Sequence, residues 1–523
     1  MDSQSGTIAN PKLDELTREQ SIQLLGEALV RIKSDANRIE TLVVRVEMLE
    51  KQLADRNPTI KIPLPFSIKA EEKRKRDRQK VLDGKSKNKK PLRSGRIKSE
   101  EKIAKATRHE NVYPVGVEVA LCSLSHIRPM IRIEAGQAVW IAYHVHRAPN
   151  GKYGIIQGAM GRSEFGIEII LAIAYQVYVV GLSFDKAIAL EKFFQNLELK
   201  KSQVDAMLHQ LSRVWEKEFE SLLKLLTRSI VVHADETSWS IKSVWAFLSE
   251  NSRVVLFGVN KDAETLAKIL DPKSYLGTVV SDNAAVYGKF THSQKCWAHL
   301  LRKAIKLTLL NPDNEEYRDF ADGALQIFYD GRALQINQDL SEDQRNDEIV
   351  KLADRVLALC SVRDIEQTKL DDPIADSFRL LRSELLGLMM DEQLFTFVSN
   401  PAVAPTNNEA ERSLRDAATA RRVGRTNKTL TGARRQTIIQ SVLESIRTQL
   451  SSITLQGVLD EVARWKMAGE SCFAALLRKA DAAPSEKSTL DSIYPDYKTA
   501  QDKKAARRAT EKPSKSILAP ATG

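Results

Sequence analysis

The 523 residues read as a multidomain, mixed α/β chain, and three observations lead there. Apolar residues recur every seven positions near the N-terminus. Between residues 229 and 297 short β-branched runs alternate with helical stretches. Over much of 303–400 the apolar spacing is that of helices. A hydrophobic content of 42% permits sizeable cores, and 28% charged residues is ordinary. The charge is unevenly placed. The formal net charge is +11, and Lys69–Arg108 holds 17 Lys and Arg against 6 Asp and Glu, which is the whole of that excess. A concentrated basic segment fits a polyanionic partner, nucleic acid ahead of a membrane surface.

Leu25, Ile32, Ile39, Val46 and Leu53 keep the seven-residue spacing. Leu42 and Leu49 sit three places on, and Leu29 and Val43 widen the stripe. The seam predicts a coiled coil within 12–56 that joins copies of the chain through 25–53, as a homodimer or higher oligomer. An amphipathic helix packed on its own chain is the other reading. Pro58, Pro63 and Pro65 end the helix. A basic linker over 57–110 follows, with clusters at Lys73–Arg76 and Lys87–Lys90; it reads as a clamp on phosphates or as a solvated connector. The first residues, Met1–Gly6, are polar and form no signal peptide. Cys122, Cys296, Cys360 and Cys472 are far apart and make no close pair, which fits a reducing compartment.

A small β-rich domain is expected over 111–160, with strands at Gly116–Leu121, Ile131–Glu134 and Val139–Val145 and a turn at Pro149–Gly151. Cys122, His126, His144 and His146 lie there in a spacing that fits no usual zinc pattern. Over 161–227 the chain reads as helical. Its most apolar window, Phe165–Leu182, contains Glu168 and Gln176 and is a buried helix rather than a membrane span. Phe184–Phe194 carries Ile188, Leu190 and Phe193 on one face, and Asn196–Lys200 interrupts. Ser202 then looks like an N-cap with Asp205 three places on. The pair reads equally as a helix-turn-helix on DNA or as a helical hairpin in a core.

The chemistry starts at Ser229–Trp239, a strand expected to end in Asp235 beside Glu236. Strands at Val244–Leu248 and Val254–Val259, a helix at Ala263–Leu270, a strand at Gly277–Val280 leading to Asp282, a second helix, and a strand at Thr291–Trp297 follow. The first three strands would pair antiparallel and the later ones join by helical crossovers. That is the order of ribonuclease-H-like folds, and it sets Asp235 and Asp282 side by side. Two carboxylates so close repel, and a hard divalent cation with oxygen ligands relieves the repulsion. Magnesium ions bridged by such acids activate a water or 3′-hydroxyl and stabilise the leaving oxygen of a phosphodiester.

A third acid would come from Asn407–Arg415. Asn408 as N-cap puts Glu411 in the first turn of a helix. Arg412, Arg415, Arg421, Arg422, Arg425 and Lys428 then make a basic surface beside it. A capped surface helix with solvated charges is the plainer reading. Glu409 competes with Glu411 for the role. Glu236 points to the opposite face from Asp235, as a hydrogen-bonding support. His299 either orients a water or phosphate at the site or packs as polar support near Trp297 and Arg302, and Cys296 reads as a small buried hydrophobe.

The segments His233-Ala-Asp-Glu-Thr237, Cys296-Trp-Ala-His-Leu-Leu-Arg302, Asn407-Asn-Glu-Ala-Glu-Arg412, Gly424-Arg-Thr-Asn427 and Ser441-Val-Leu-Glu-Ser445 stand in an order that resembles the DDE transposases of the insertion-sequence-66 family. The resemblance covers roughly 180–460. It implies a ribonuclease-H-like catalytic core over 228–302 and 401–460, with Asp235, Asp282 and Glu411 as catalytic and metal-binding residues. The helical stretch 303–400 then looks like the insertion such transposases carry, and, apart from the resemblance, 461–523 reads as a C-terminal helix with a flexible basic tail. The implied cofactor is Mg2+ or Mn2+, two ions. The implied partner is DNA, at transposon ends and target, contacted by the six basic residues from Arg412 to Lys428, with no membrane and a bacterial cytoplasmic, nucleoid-associated location. The reaction implied is strand cleavage and strand transfer. A transposase-derived DNA-binding protein without catalysis, or a ribonuclease-H-like repair or junction nuclease, are the alternatives. Two departures stand out. The cysteine-pair zinc segment usual before the core is absent, and the basic pattern after the third acid runs Arg425-Thr-Asn-Lys428.

Overall fold

The computed structural model describes residues 99–361, 372–479 and 489–497. By its contacts the chain divides into two units, Met1–Arg96 and Ile97–Gly523, and the described residues belong to the second. The heptad seam, most of the basic linker and the basic tail lie outside the described residues.

After a short helix α1 (Ser99–Ala104), β1 (Arg108–Val112), β2 (Ser123–Glu134) and β3 (Gln137–Arg147) form a three-stranded sheet. Its order is β1-β3-β2, with β3 parallel to β1 and antiparallel to β2. Ala135 and Gly136 both take positive φ between the paired Glu134 and Gln137. That is the two-residue turn whose twist suits a hairpin. Met130, Ile141, Tyr143, Val145 and Ile156 form its core. The strand expected at Gly116–Leu121 is not one. That segment holds a turn and a single 3-10 turn at Val119–Leu121, with Val119 and Leu121 exposed. The charged run at Arg108–Val112 takes the ladder instead, because edge pairing needs backbone groups more than apolar side chains.

Four helices follow: α2 (Ile167–Tyr178), α3 (Phe184–Gln195), α4 (Lys201–Val214) and α5 (Glu216–Arg228). In α2, Glu168 is buried and paired with Arg132 at 2.7 Å. Among the described residues no helix is long and apolar enough to cross a membrane. Val204, Met207, Leu208 and Leu211 of α4 face the main core. Two expectations are corrected here. α4 begins at Lys201, and Gln203 rather than Ser202 serves its N-terminus, by accepting the Lys200 N–H at 2.8 Å. Phe193 does not join the apolar face of α3; with Phe194 it is exposed, stacked edge to face at 5.0 Å.

The central sheet contains β4 (Val231–Ser238), β5 (Ser243–Leu248), β6 (Arg253–Val259), β7 (Thr278–Ser281) and β8 (Ser293–Lys295). Its order is β6-β5-β4-β7-β8. β4, β5 and β6 pair antiparallel, and β4, β7 and β8 pair parallel. α6 (Ala263–Ile269) makes the first crossover, capped by Asp262, which accepts the Thr265 N–H at 2.7 Å. The second crossover is not a helix. A 3-10 turn, Ala285–Tyr287, takes that place, with Tyr287 fully buried. β8 is shorter than expected, because Trp297 opens the next helix instead of closing the strand.

That helix, α7 (Trp297–Leu310), carries the insertion: α8 (Glu315–Ile336), α9 (Glu342–Cys360), α10 (Pro373–Met390) and α11 (Thr396–Ser399). Trp297, Leu300, Phe320, Val356, Phe378 and Leu381 share a separate core. The insertion returns along β8. Trp297 Nε1 donates to Leu394 O at 2.8 Å, and Thr396 Oγ1 donates to Ser293 O at 2.8 Å.

α12 (Asn408–Arg422) then covers one face of the sheet, its Ala410, Leu414 and Ala417 against Val244, Ala246 and Val255. α13 (Leu430–Gln449) runs along the β6 edge, followed by α14 (Leu455–Ala468), α15 (Cys472–Lys479) and α16 (Leu490–Ile493). Thr437, Ser441 and Ser445 of α13 accept the backbone N–H groups of Phe257, Val255 and Arg253, each at 2.9 Å. Ser441 and Ser445 also donate back to the carbonyls of Val255 and Arg253, and Tyr494 donates to that of Phe257. Four residues of helix rise about 6.0 Å and two of strand about 6.7 Å, so hydroxyls at i, i+4 and i+8 meet every second residue of an edge strand. An open edge is thereby satisfied without another strand. Ser441→Ala leaves a buried N–H and C=O unpaired and is expected to lower stability by about 1–3 kcal/mol, read as the urea midpoint. An unchanged midpoint would refute this role for the hydroxyl.

Candidate active site

Asp235 does not end its strand. β4 continues to Ser238, and Asp235 pairs with Ala246 of β5. What ends there is the neighbour. β4 and β7 pair from Val231–Thr278 to His233–Val280, so Asp282, just past β7, comes level with Asp235. Strand alternation sends Asp235 and His233 to the face under α12, and Glu236 to the other face.

Burial, followed by the like charges of Glu236, Asp282 and Glu411, pushes the Asp235 carboxyl up to about 7, against one hydrogen bond from the Glu236 N–H that lowers it. Its Oδ1 accepts that N–H at 2.9 Å. Asp282 Oδ1 accepts the Ala284 N–H at 3.0 Å. Both acids are therefore held by nearby backbone in the same loop or strand. On the far side Glu236 is buried, accepts from the Tyr287 hydroxyl, and meets Lys261 Nζ at 2.8 Å.

The third element arrives through Asn407. The helix starts one residue earlier than expected, with Asn407 rather than Asn408 at the N-cap position and no side-chain cap. Asn407 is fully buried and does something else: its amide donates to Ala234 O at 2.8 Å, and its carbonyl oxygen lies 3.3 Å from His233 Nδ1. This ties the start of α12 to β4 and puts Glu411, in the first turn, on the side of Asp235. Glu409 turns the other way and pairs with Arg253 of β6.

Glu411 is paired with Arg302 of α7 at 2.9 Å and lies 3.4 Å from His299 Nδ1. Lys295 is a further cation near the acids. It is buried and bonds Ser281 Oγ at 3.2 Å, and burial lowers it to about 8, against the pull of Asp282. Arg302, Lys295, Lys261 and Asn407 had no place among the site residues expected from sequence. A lysine inside a buried strand is the one signal that could have marked Lys295.

The basic residues of α12 and the following loop are all exposed. Arg421 donates to Ser238 O at 2.9 Å, Arg425 to Gly181 O at 3.1 Å, and Lys428 to Thr426 Oγ1 at 3.1 Å. Arg412, Arg415 and Arg422 make no ion pair with the described residues. In the β-rich domain, His109 and His144 meet at 3.0 Å and His146 meets Asn111 at 3.0 Å.

A mixed α/β chain that gathers acids from three distant segments, with a basic helix leading away from them, belongs to a class that comparison makes plain. The family described as Transposase IS66 family matches residues 162–435, over half of the chain, from the approach to α2 into the first turns of α13. The chain belongs to that family, and its role is that of a transposase. No curated protein matches the chain.

The raised Asp235 carboxyl carries a stability consequence. A folded pKa above the unfolded value favours the fold below about pH 4, and that contribution is lost as the pH rises through about 7. Asp235→Asn is therefore expected to stabilise the metal-free protein by roughly 1–3 kcal/mol at pH 8 and hardly at pH 4, read by urea unfolding at both. Equal effects at the two pH values would show that the carboxyl is not perturbed.

Proposed function

We propose that this transposase cuts and joins DNA at the ends of an insertion sequence by metal-dependent phosphoryl transfer, on a ribonuclease-H-like core. The observation that carries this reading is the convergence of Asp235, Asp282 and Glu411 on one side of the sheet, with one of them strained by burial and like charge. The strand order β6-β5-β4-β7-β8 and its mixed pairing support the ribonuclease-H-like assignment.

The donors are carboxylate oxygens, which suit a hard cation, Mg2+ or Mn2+, and two ions are expected. Such ions stabilise charge on the attacking and leaving oxygens of a phosphodiester and lower the pKa of bound water. The chain's own contribution is position. Asp235 and Asp282 are fixed by backbone N–H groups, and Asn407 fixes the start of the helix bearing Glu411. Arg302 balances the charge of Glu411. Water would attack the phosphodiester at an element end, and the freed 3′-hydroxyl would attack target DNA. Neither step needs a covalent link to the protein.

Arg412, Arg415, Arg421, Arg422, Arg425 and Lys428 would follow the DNA backbone as sequence-independent phosphate contacts. The seam at 25–53 would join subunits, and the basic stretch 57–110 would add phosphate contacts beside the nucleoid. In a cleavage and joining assay with Mg2+, Asp235→Asn, Asp282→Asn or Glu411→Gln should abolish activity and leave DNA binding intact, while Glu409→Gln should retain activity. Cleavage surviving in one of the first three removes that residue from the site; cleavage without joining by the intact protein would favour a junction nuclease instead. Replacing Arg412, Arg415 and Arg422 together by Gln should flatten the slope of log binding constant against log salt by up to about 3, near 0.9 per lost phosphate contact. An unchanged slope would clear these arginines of DNA contact.

A further inference from the structure

Cys296 is the N-cap residue of α7 and His299 lies in its first turn. Glu411 meets them from the first turn of α12. Its Oε1 lies 4.0 Å from Cys296 Sγ and 3.4 Å from His299 Nδ1, and one ligand atom from each of the three residues falls within 4.8 Å of the others. Bonds of about 2.0–2.3 Å to a tetrahedral cation would separate its ligands by roughly 3.3–3.8 Å, so small side-chain shifts close the set.

Two details point to ligation rather than packing. His299 Nδ1 is buried and has no hydrogen-bond partner among the described residues, although a Glu411 oxygen lies 3.4 Å away. Cys296 Sγ accepts the backbone N–H of Asn407 at 3.1 Å, which fixes the sulfur beside Glu411, although burial pushes the thiol's pKa up. No such sulfur or nitrogen donor accompanies Asp235 and Asp282 in the reading of the hard-cation site, and Mg2+ has little use for either.

We propose that Cys296, His299 and Glu411 form a second metal site, for a borderline-soft divalent cation of the zinc class, and that filling it withdraws Glu411 from the hard-cation site. The withdrawal rests on Glu411 serving that site; the binding does not. On binding, the thiol forms a sulfur–metal bond and its proton leaves to solvent. His299 ligates through the lone pair of Nδ1, and Glu411 exchanges the Arg302 guanidinium for the cation. Arg302 is more than half exposed, so releasing it costs little. Three protein ligands leave a fourth position for water, the pattern of an open, reversible site rather than a closed structural one. Zinc is then an inhibitor of this transposase that competes with magnesium through one shared carboxylate.

The test uses the full chain, stripped of metal. Titration with Co2+ should produce sulfur-to-cobalt charge-transfer absorption in the near ultraviolet, which added Zn2+ removes. Cys296→Ser should lose that absorption and weaken zinc by at least about tenfold, while Cys472→Ser keeps both. Circular dichroism checks that each variant is folded, and His299→Gln, which should weaken the absorption, replaces Cys296→Ser if that variant is not. Mn2+ binding followed by electron paramagnetic resonance should weaken with Zn2+ in the wild type and not in Cys296→Ser. Absent charge transfer, or charge transfer that survives in Cys296→Ser, overturns the site. Charge transfer at Cys296 with Mn2+ binding indifferent to zinc overturns the competition and also the assignment of Glu411 to the hard cation. Failure of Asp235 or Asp282 variants to affect Mn2+ would sink the hard-cation reading alone.

Discussion

The hydroxyl ladder between α13 and the edge of β6 is the contact on which the rest of the site depends. An edge strand left open exposes a row of unpaired backbone groups, and here Thr437, Ser441 and Ser445 complete it from a helix. The ladder sets both the position and the register of α13. The loop before it is pinned in turn: Asn427 accepts from the Trp239 indole at 3.2 Å, and its carbonyl accepts from Ser240. α12, held between that loop and Asn407, therefore has little freedom over the sheet. Glu411 reaches the acids of β4 and β7 as a result of edge chemistry some distance away.

The site is built against stability. Asp235 is partly buried beside three other carboxylates, and its ionised form is disfavoured. Surrounding groups limit the strain. Lys261 and Tyr287 satisfy Glu236 on the opposite face, Lys295 lies near Asp282, and Arg302 covers Glu411. Arg302 and Lys261 sit at the rim, where they can give way; Lys295 is fixed inside.

The insertion is joined to the site at one end. α7 belongs to both: Trp297 and Leu300 pack into the core of the insertion, while His299 and Arg302, with Cys296 just before the helix, face Glu411. Movement of the helical insertion would reach the third acid first. Asp235 and Asp282 are anchored within the sheet and would feel it less.

Much of this was legible in the sequence, because strands of β-branched residues and helices of apolar period announce themselves. β4 to β7, α6 and the helices of the insertion lie close to where local pattern puts them, and the adjacency of Asp235 and Asp282 follows from strand order. Where local pattern and tertiary need diverged, the sequence misled. Asp235 sits within β4 because β5 continues to pair with it past the point where β7 stops. Asn407 is fully buried because it bridges to Ala234, which no capping preference foretells. Phe193 is exposed although its spacing is apolar, and Arg108–Val112 forms a strand although it is charged, since backbone pairing decided it. The sequence by itself determined most of the elements from β4 through the insertion, the two neighbouring acids and the family. Only the tertiary structure decided which acid of α12 faces them, that Arg302 and His299 surround it, and that hydroxyls close the sheet. Those depend on contacts between residues far apart in the chain, on which local periodicity is silent.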